Sequence, residues 1–142
     1  MEAQELHRGR LIDHVQLVVT DLAASRRFYE AVFAALGIPL GGDGPGFFWA
    51  DGLFVSSPDS PASAGRVTGR VHLAFQAGDR ETVHRFHEAG LRAGGADHGA
   101  PGERPYHPGY YAAFLLDPDG NNVEAVHHGP ARRSAPSVRI TF

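Results

Sequence analysis

Residues 12–38 read IDHVQLVVTDLAASRRFYEAVFAALGI, and their pattern returns 58 residues further along the chain. After this shift His14 aligns with His72 and Asp21 with Asp79. Eight of the 24 positions from 14 to 37 are identical without a gap. Chance would give roughly one or two identities, so we interpret the chain as a duplication.

Each copy predicts a strand followed by a capped helix. Leu11–Val19 is rich in apolar and β-branched residues, which is typical of a strand. Asp21 can accept hydrogen bonds from the free N–H groups at the start of the following helix. Gly37 can supply the left-handed position that ends this helix. The second copy repeats the pattern with Arg70–Ala77 as the strand and Asp79 as the cap.

Short extended runs separated by turn residues follow each helix. Asp51-Gly52 and Pro118-Asp119-Gly120 predict hairpin turns. The predicted strands are Ile38–Leu40, Gly46–Ala50 and Leu53–Ser57 in the first half, and Ala96–Gly99, Tyr110–Asp117 and Asn121–His128 in the second.

The sequence therefore predicts an α+β fold in which two tandem β-α-β-β-β modules form a curved sheet around a central cavity. We expect one domain over residues 1–142, with modules at 11–57 and 70–128. A Ser-, Pro- and Gly-rich linker lies between them at 58–69. In the tail at 129–142, the alternating residues 137–142 predict an additional edge strand.

Composition excludes several kinds of chemistry. The 142 residues include no cysteine, so disulfides, thiolate zinc sites and a catalytic thiol are excluded. All 13 basic residues are arginine, which excludes a lysine Schiff base. The formal net charge of −3 argues against nucleic acid as a partner. No apolar run is long enough to span a membrane, and residues 1–10 lack a signal-peptide core, so we expect a cytoplasmic protein without a membrane partner.

Strand alternation places two histidines and one glutamate inside the predicted cavity. If the apolar set of each strand packs beneath its helix, His14 and His72 face the other way, as does Glu124 on the last strand. Two imidazoles and one carboxylate bind a divalent metal and leave positions open for substrate or water. A single histidine on a strand is more often a hydrogen-bonded core residue, but two symmetry-related histidines with an inward glutamate favour a metal site.

Three segments resemble the vicinal oxygen chelate superfamily, which includes glyoxalase I, bleomycin-resistance proteins and extradiol dioxygenases. The segments are IDHVQLVVTDLAASRRFYEAVFAALGI, RVHLAFQA and YYAAFLLDPDGNNVEAV. The resemblance implies that His14, His72 and Glu124 are the metal ligands. Glyoxalase I adds a carboxylate on its fourth strand, and Leu53–Ser57 offers none. A three-ligand set looks more like the dioxygenase or thiol-transferase branches.

The resemblance implies a divalent cofactor, namely Fe, Zn, Ni, Co or Mn, and a small-molecule substrate with adjacent oxygens. The expected activity is metal-dependent, either dioxygenase-like or of the lyase and isomerase type that includes lactoylglutathione lyase. The alternative is a binding protein of the bleomycin-resistance kind, which sequesters a ligand without catalysis. A homodimer is expected, in which each site can draw ligands from two chains when modules are exchanged.

The loop at 102–111 would border the mouth of the cavity in this architecture. His107 and Tyr110 are the candidate acid/base residues there, although solvated and packing roles are the alternatives for the two side chains. The predicted substrate-binding residues on the inner strands are Gln16, Trp49, Gln76 and Phe114.

Overall fold

The computed structural model describes residues 5–63 and 65–142 of the chain. Within them the elements, in chain order, are β1 (Glu5–Arg8), β2 (Val15–Val18), α1 (Leu22–Leu36), β3 (Gly42–Gly44), β4 (Phe47–Ala50), β5 (Leu53–Ser56), a 3-10 turn (Pro61–Ser63), β6 (His72–Gln76), α2 (Arg80–Arg92), β7 (Ala96–Glu103), β8 (Tyr111–Leu116), β9 (Asn122–His127) and β10 (Val138–Thr141).

The two halves of the chain form two sheets with equivalent topology. The first sheet has the strand order β2-β5-β4-β3, and the second has the order β6-β9-β8-β7. The pairs β2–β5 and β6–β9 are parallel, and the remaining pairs are antiparallel. This arrangement confirms the predicted α+β fold of two β-α-β-β-β modules. It also leaves β2 and β6 at the edges of their sheets.

The helix boundaries follow the signals in the sequence. The Asp21 side chain accepts a hydrogen bond from the Ala24 N–H at 3.1 Å, and Asp79 caps the second helix through Thr82 at 2.7 Å. Gly37 adopts a φ of 77°, the left-handed conformation that glycine tolerates best. Both predicted caps are therefore confirmed.

The two helices pack against each other within one core that both modules share. The Phe33 ring of α1 meets Phe75 of β6 edge-to-face at 5.5 Å, and Phe75 in turn lies against Phe86 of α2. At Gly90 of α2 the helix is approached closely by Phe28 and other side chains of the core. Because the helices occupy this common core, the helix-free faces of both sheets lie on its outside.

A buried polar contact joins the first helix to the hairpin turn of the second half. The Tyr29 hydroxyl donates a hydrogen bond to Asp117 at 2.5 Å, and both residues are buried. The same carboxylate accepts bonds from the Asn121 amide groups and from the backbone of Asp119. The DPDGN turn therefore links the halves as well as reversing the chain.

Two strand predictions need correction. Ile38–Leu40 is not a strand, because the Ile38 N–H bonds back to the Phe33 carbonyl at 2.8 Å and Pro39 follows. The strand after the helix is Gly42–Gly44. The predicted tail strand forms as Val138–Thr141, but it pairs with Glu5–Arg8 in a separate two-stranded ribbon. Neither helix in the described part of the chain is long and apolar enough to cross a membrane.

Candidate functional site

Glu124 lies at the centre of the helix-free face of the second sheet. Its strand, β9, runs between β6 and β8, and the register places Glu124 beside Ala74 on one side and Phe114 on the other. The carboxylate is 2% exposed although this face carries no helix. Burial of a carboxylate is costly unless hydrogen bonds or a cation compensate it. The groups that contact the Glu124 carboxylate therefore show how its burial is compensated.

His72 presents both ring nitrogens to acceptor atoms. Its Nε2 lies 2.9 Å from the Glu124 carboxylate, and its Nδ1 lies 3.1 Å from the Asn122 carbonyl oxygen. A neutral imidazole carries only one N–H, so it can donate to only one of these acceptors. The arrangement is complete only with a second proton on the ring or with a cation shared by Nε2 and the carboxylate.

The contact fits a divalent ion in two ways. Metal-bound histidines usually donate their second N–H to a carbonyl or carboxylate, and the Asn122 carbonyl can fulfil this role for His72. Two ligand atoms at right angles around one ion lie about 3 Å apart, given typical metal–ligand distances. The observed 2.9 Å between Nε2 and Oε1 matches this separation.

Tyr110 completes the surroundings of the carboxylate. Its hydroxyl donates a hydrogen bond to Oε2, the Glu124 oxygen that does not face His72. Burial and this bond to a carboxylate raise the pKa of Tyr110 to about 12. Tyr110 is therefore protonated at neutral pH and acts as a donor. The structure places this predicted site residue in direct contact with a predicted metal ligand.

His107 lies one layer further out, at the rim. Its Nε2 is 2.9 Å from Nδ1 of His128, and its ring packs edge-to-face on Tyr110 at 5.2 Å. Phe114 lies closer to the centre, because its ring stacks on His72 at 6.1 Å. Gln76 is exposed on the same face of β6 as His72. The second sheet therefore gathers the predicted residues Glu124, His72, Tyr110, Phe114, Gln76 and, at the rim, His107.

The first sheet carries the remaining predicted residues on its own helix-free face. His14 is exposed, its Nδ1 donates a hydrogen bond to the Asp13 carboxylate at 2.8 Å, and its ring meets the Phe54 ring at 5.4 Å. Trp49 stacks on the same Phe54 ring, with the two ring centroids also 5.4 Å apart. Gln16 donates to the Ser56 hydroxyl at 2.6 Å.

Phe54 occupies the position in the first sheet that Glu124 has in the second. Gln16 pairs with Phe54 in the first sheet, as Ala74 pairs with Glu124 in the second, and residues 16 and 74 are related by the 58-residue shift. The duplicated face therefore holds a carboxylate in one copy and an aromatic ring in the other. Strand β5 offers no fourth ligand.

A single chain does not bring the three predicted ligands together. Among residues 5–63 and 65–142, no group of three or more histidine, aspartate or glutamate side chains is placed to hold a metal. The physical reason is the shared core, which keeps the two helix-free faces on its outside. His72 and Glu124 contact each other on the second sheet, and His14 lies beside the first sheet. The three-ligand site remains a prediction.

Two contributors were missed from the sequence. Asn122 supplies its backbone carbonyl to His72, and no sequence signal marks a backbone contact of this kind. Phe54 contacts both His14 and Trp49, and the duplication could have identified it as the counterpart of Glu124.

This fold and this face define a recognised class of protein. Residues 11–125 match the model of the Glyoxalase/Bleomycin resistance protein/Dioxygenase superfamily, and the chain belongs to that family. Among the curated proteins, none matches the chain.

Solved structures agree with the family assignment. A glyoxalase/bleomycin resistance protein from Albidiferax ferrireducens is 31% identical, with a TM-score of 0.66 over 82% of this chain and 98% of its own. A glyoxalase/bleomycin resistance protein/dioxygenase family enzyme from Burkholderia phytofirmans is 24% identical, with a TM-score of 0.64 over 82% and 97%. A lactoylglutathione lyase from Agrobacterium tumefaciens, 23% identical over 82% and 92%, has a TM-score of 0.59. The last two similarities show the fold alone.

Proposed function

We propose that this protein is a divalent-metal-dependent enzyme of the glyoxalase/dioxygenase type, which chelates adjacent oxygens of a small substrate. The ligands are His72 and Glu124 of one subunit and His14 of a second copy of the chain. The observation that carries the proposal is the 2.9 Å contact between Nε2 of His72 and the buried Glu124 carboxylate, whose separation fits two ligands of one ion. The ion, when bound, would supply Lewis-acid stabilisation of an anionic intermediate.

A second copy is proposed because each half-site, with His14 in one and the pair of His72 and Glu124 in the other, lies at a sheet edge. β2 and β6 are edge strands, and His14 immediately precedes the first while His72 begins the second. Edge strands can pair with another chain. On β2 this pairing would involve the residues before Val18, because the Val18 N–H and C=O already bond to Thr68. Leu11 and Ile12, beside His14, are 91% and 53% exposed, which favours burial against a partner. Pairing β2 of one copy with β6 of the other would extend the two sheets into one.

The surrounding side chains suggest a division of roles. The Asn122 carbonyl orients the His72 ring, and the Tyr110 hydroxyl holds the outer oxygen of Glu124. Phe114 of one copy and Phe54 of the other would form aromatic walls that exclude water. Tyr110 would hold a proton near substrate oxygen, and His107, bonded to His128, is the candidate acid/base group at the rim.

Three ligands leave open positions for two substrate oxygens. This favours dioxygenase-like chemistry with Fe, or lyase and isomerase chemistry with Zn, Ni, Co or Mn. Because Phe54 stands where a fourth ligand carboxylate would lie, a mechanism that uses a second carboxylate as the base is disfavoured.

Metal binding is the direct test. Purified protein is loaded with each ion in turn, and its metal content is compared with that of His72→Ala and Glu124→Gln. The exposed His98, which lies on β7, provides a matched control as His98→Ala. We expect stoichiometric metal in the wild type and the control, and loss in the two site variants. A wild type that binds no metal, or a metal content that His72→Ala and Glu124→Gln leave unchanged, would refute the proposal.

Substrate screening then separates the chemistries. Metal-loaded protein is offered catechols and adducts of 2-oxoaldehydes with thiols. Ring cleavage supports the dioxygenase branch, and isomerisation of the adduct supports the lyase branch. Tight binding of a ligand by protein without metal, with no turnover, would favour a bleomycin-resistance type of binding protein.

A further inference from the structure

We propose that the cleft between the two chain ends is an oxyanion site that receives an acidic group of the ligand. The cleft has a volume of about 330 Å³. Its walls come from residues 7–10 and 133–138, and it is closed by the turn at Asp51 and by Gln76 of β6. The inference rests on the proposed function, because one end of the ligand would bind at the metal site. It goes beyond that function by proposing that the other end carries an acidic group.

Three arginines line the cleft, and one of them, Arg8, is paired with Asp13. Arg8 is buried, lies 3.3 Å from Asp13 and donates to the Asp51 carbonyl at 2.6 Å, so it anchors the terminal ribbon. Arg133 donates to the Pro136 carbonyl at 2.6 Å, and none of the ion pairs in residues 5–63 and 65–142 involves it. Arg10 also has no carboxylate partner among the described residues.

The lining offers many donors and a single acid. Besides the guanidinium groups, the walls include the hydroxyl-bearing residues Ser134 and Ser137, of which Ser137 already contacts His7 Nδ1 at 2.7 Å. Asp51 is the one carboxylate among the residues that line the cleft. Guanidinium groups form paired, charge-assisted hydrogen bonds with carboxylate and phosphate oxygens. A small oxyanion is therefore the ligand chemistry that this lining fits.

The cleft lies at the end of the same sheet face that carries His72 and Glu124. Gln76 lines the cleft and shares one face of β6 with His72, and Ala74 lies between them. Four residues of strand span about 13 Å. Because the Ala74 side chain is only a methyl group, it does not obstruct a ligand that lies along the strand between His72 and Gln76. A ligand chelated beside His72 can therefore place its acidic group in the cleft when the two ends are separated by roughly 10–13 Å.

This subsite is formed mainly by segments beyond the family core. The family match ends at residues 11 and 125, whereas residues 7–10 and 133–138 lie outside it. The ribbon of β1 and β10 brings these two segments together. The acidic specificity would thus be a property of the ribbon in this chain.

Titration with inorganic phosphate tests the cleft on the full-length protein. Binding is measured by NMR shift perturbation for the wild type and for the double variant Arg10→Gln/Arg133→Gln. Both arginines are exposed, so the double variant is expected to fold, which circular dichroism verifies. Arg139→Gln is the matched control, because Arg139 lies on β10 and outside the cleft lining. A parallel titration with acetate distinguishes a phosphate site from a general carboxylate site.

We expect saturable phosphate binding in the wild type, weakened roughly tenfold for each arginine removed and unchanged in the control. His72→Ala should also leave phosphate binding unchanged, so failure of the metal site and failure of the cleft are separable. Absence of saturable binding of either anion, an undiminished affinity in the double variant, or an equal loss in Arg139→Gln would overturn the proposal.

A second experiment tests whether one ligand can occupy both the cleft and the proposed metal site at His72 and Glu124. Metal-loaded wild type is offered a catechol with an acidic chain long enough to reach the cleft and the same catechol without the acid. The acid should improve affinity in the wild type but not in the double variant. An acid that gives equal improvement in both proteins would show that it binds elsewhere.

Discussion

Glu124 is buried although it lies on the helix-free face of its sheet. Its strand places it on the open face of the sheet, yet His72, Tyr110 and the neighbouring strands leave only 2% of the residue exposed. The hydrogen bond from Tyr110 satisfies one oxygen, and the other faces an imidazole nitrogen. The carboxylate is therefore held in one orientation by His72 and Tyr110.

Tyr110→Phe tests this holding role. Removing the hydroxyl frees the outer oxygen of Glu124, and groups that orient metal ligands are typically worth 10–100-fold in metal affinity. We expect a loss of about that size for Tyr110→Phe, measured by competition with a chelator of known affinity. Tyr106→Phe is the control, because Tyr106 is 68% exposed and touches Tyr110 through its ring. Equal affinities of Tyr110→Phe and wild type would contradict the assigned role.

The pair of His87 and Asp97 predicts a pH dependence of stability. The hydrogen bond from His87 at 2.8 Å, followed by that from the Gly99 N–H, lowers the pKa of Asp97 below 3.8. A lowered pKa in the folded state stabilises the protein above the ordinary value, and this contribution disappears as the pH falls through the lowered one.

Asp97→Asn should therefore reduce the free energy of unfolding at neutral pH, and the difference from wild type should shrink as the pH falls below 3.8. Urea titrations over a range of pH measure it, with the exposed Asp59→Asn as control. A difference that stays constant down to strongly acidic pH would show that Asp97 does not act through its charge.

Among the elements, α2 depends on a glycine for its close packing. A Cβ at Gly90 would lie 2.2 Å from a Leu115 methyl carbon and 3.1 Å from one of Val32. Alanine favours an isolated helix by about 1 kcal/mol over glycine. Here the clash outweighs that preference, because a β8 side chain and α1 both press on this point.

We expect Gly90→Ala to lower the free energy of unfolding by about 1–3 kcal/mol, the usual cost of overpacking a core. Gly78→Ala is the control, since no atom lies within 4 Å of a Cβ there. Urea denaturation of both variants measures the effect. A Gly90→Ala protein as stable as wild type would mean that the two helices can separate at no cost.

At the scale of the whole molecule, the shared core determines which surfaces remain free. It buries the apolar sides of both sheets and leaves the histidine-bearing faces outside. One specific contact between the halves is the Tyr29–Asp117 hydrogen bond, and burial followed by the nearby Asp117 charge raises the pKa of Tyr29 well above its usual value.

Tyr29→Phe should lower the free energy of unfolding by about 1.5–3 kcal/mol, because a buried bond to a carboxylate is lost. Denaturant titration measures the change, with Tyr106→Phe again serving as an exposed control. An unchanged midpoint would indicate that the other donors to Asp117 fully replace the hydroxyl.

The proposed assembly also gives a prediction at this scale. Ala74 is exposed on β6 beside Glu124, so Ala74→Arg should fold but prevent the pairing of β6 with β2 of a second copy. Sedimentation velocity should show a dimer for the wild type and a monomer for the variant. Ala131→Arg, at an exposed site of the tail, is the control. A monomeric wild type would contradict the assembly.

The sequence predicts features that are encoded within a short window or repeated within the chain. The caps at Asp21 and Asp79 depend on neighbouring residues, and strand alternation correctly placed Glu124 opposite the helix side. The duplication related His14 to His72, but symmetry in sequence does not require two residues to meet in space. That depends on which surfaces the helices bury, and Phe33 reaching Phe75 across the core is a contact between distant segments.

The tail strand was predicted, but its pairing with residues 5–8 was not, for a related reason. Residues 5–8 carry no alternating apolar pattern, and their partner strand lies more than 130 residues away, as in the pair of Glu5 and Thr141. Pairing of this kind depends on where the rest of the fold leaves the chain ends. The cleft beside the ribbon was therefore invisible in the sequence.

The separation of the half-sites on one chain has a consequence for mixtures of defective proteins. If each site takes His14 from one subunit and Glu124 from the other, a His14→Ala chain and a Glu124→Gln chain are each inactive alone. After the two are unfolded together and refolded, mixed dimers would contain one intact site each, restoring about one quarter of all sites. Such complementation cannot occur if every chain forms its own site. Metal content after co-refolding therefore distinguishes a site shared between two subunits from a site within a single chain.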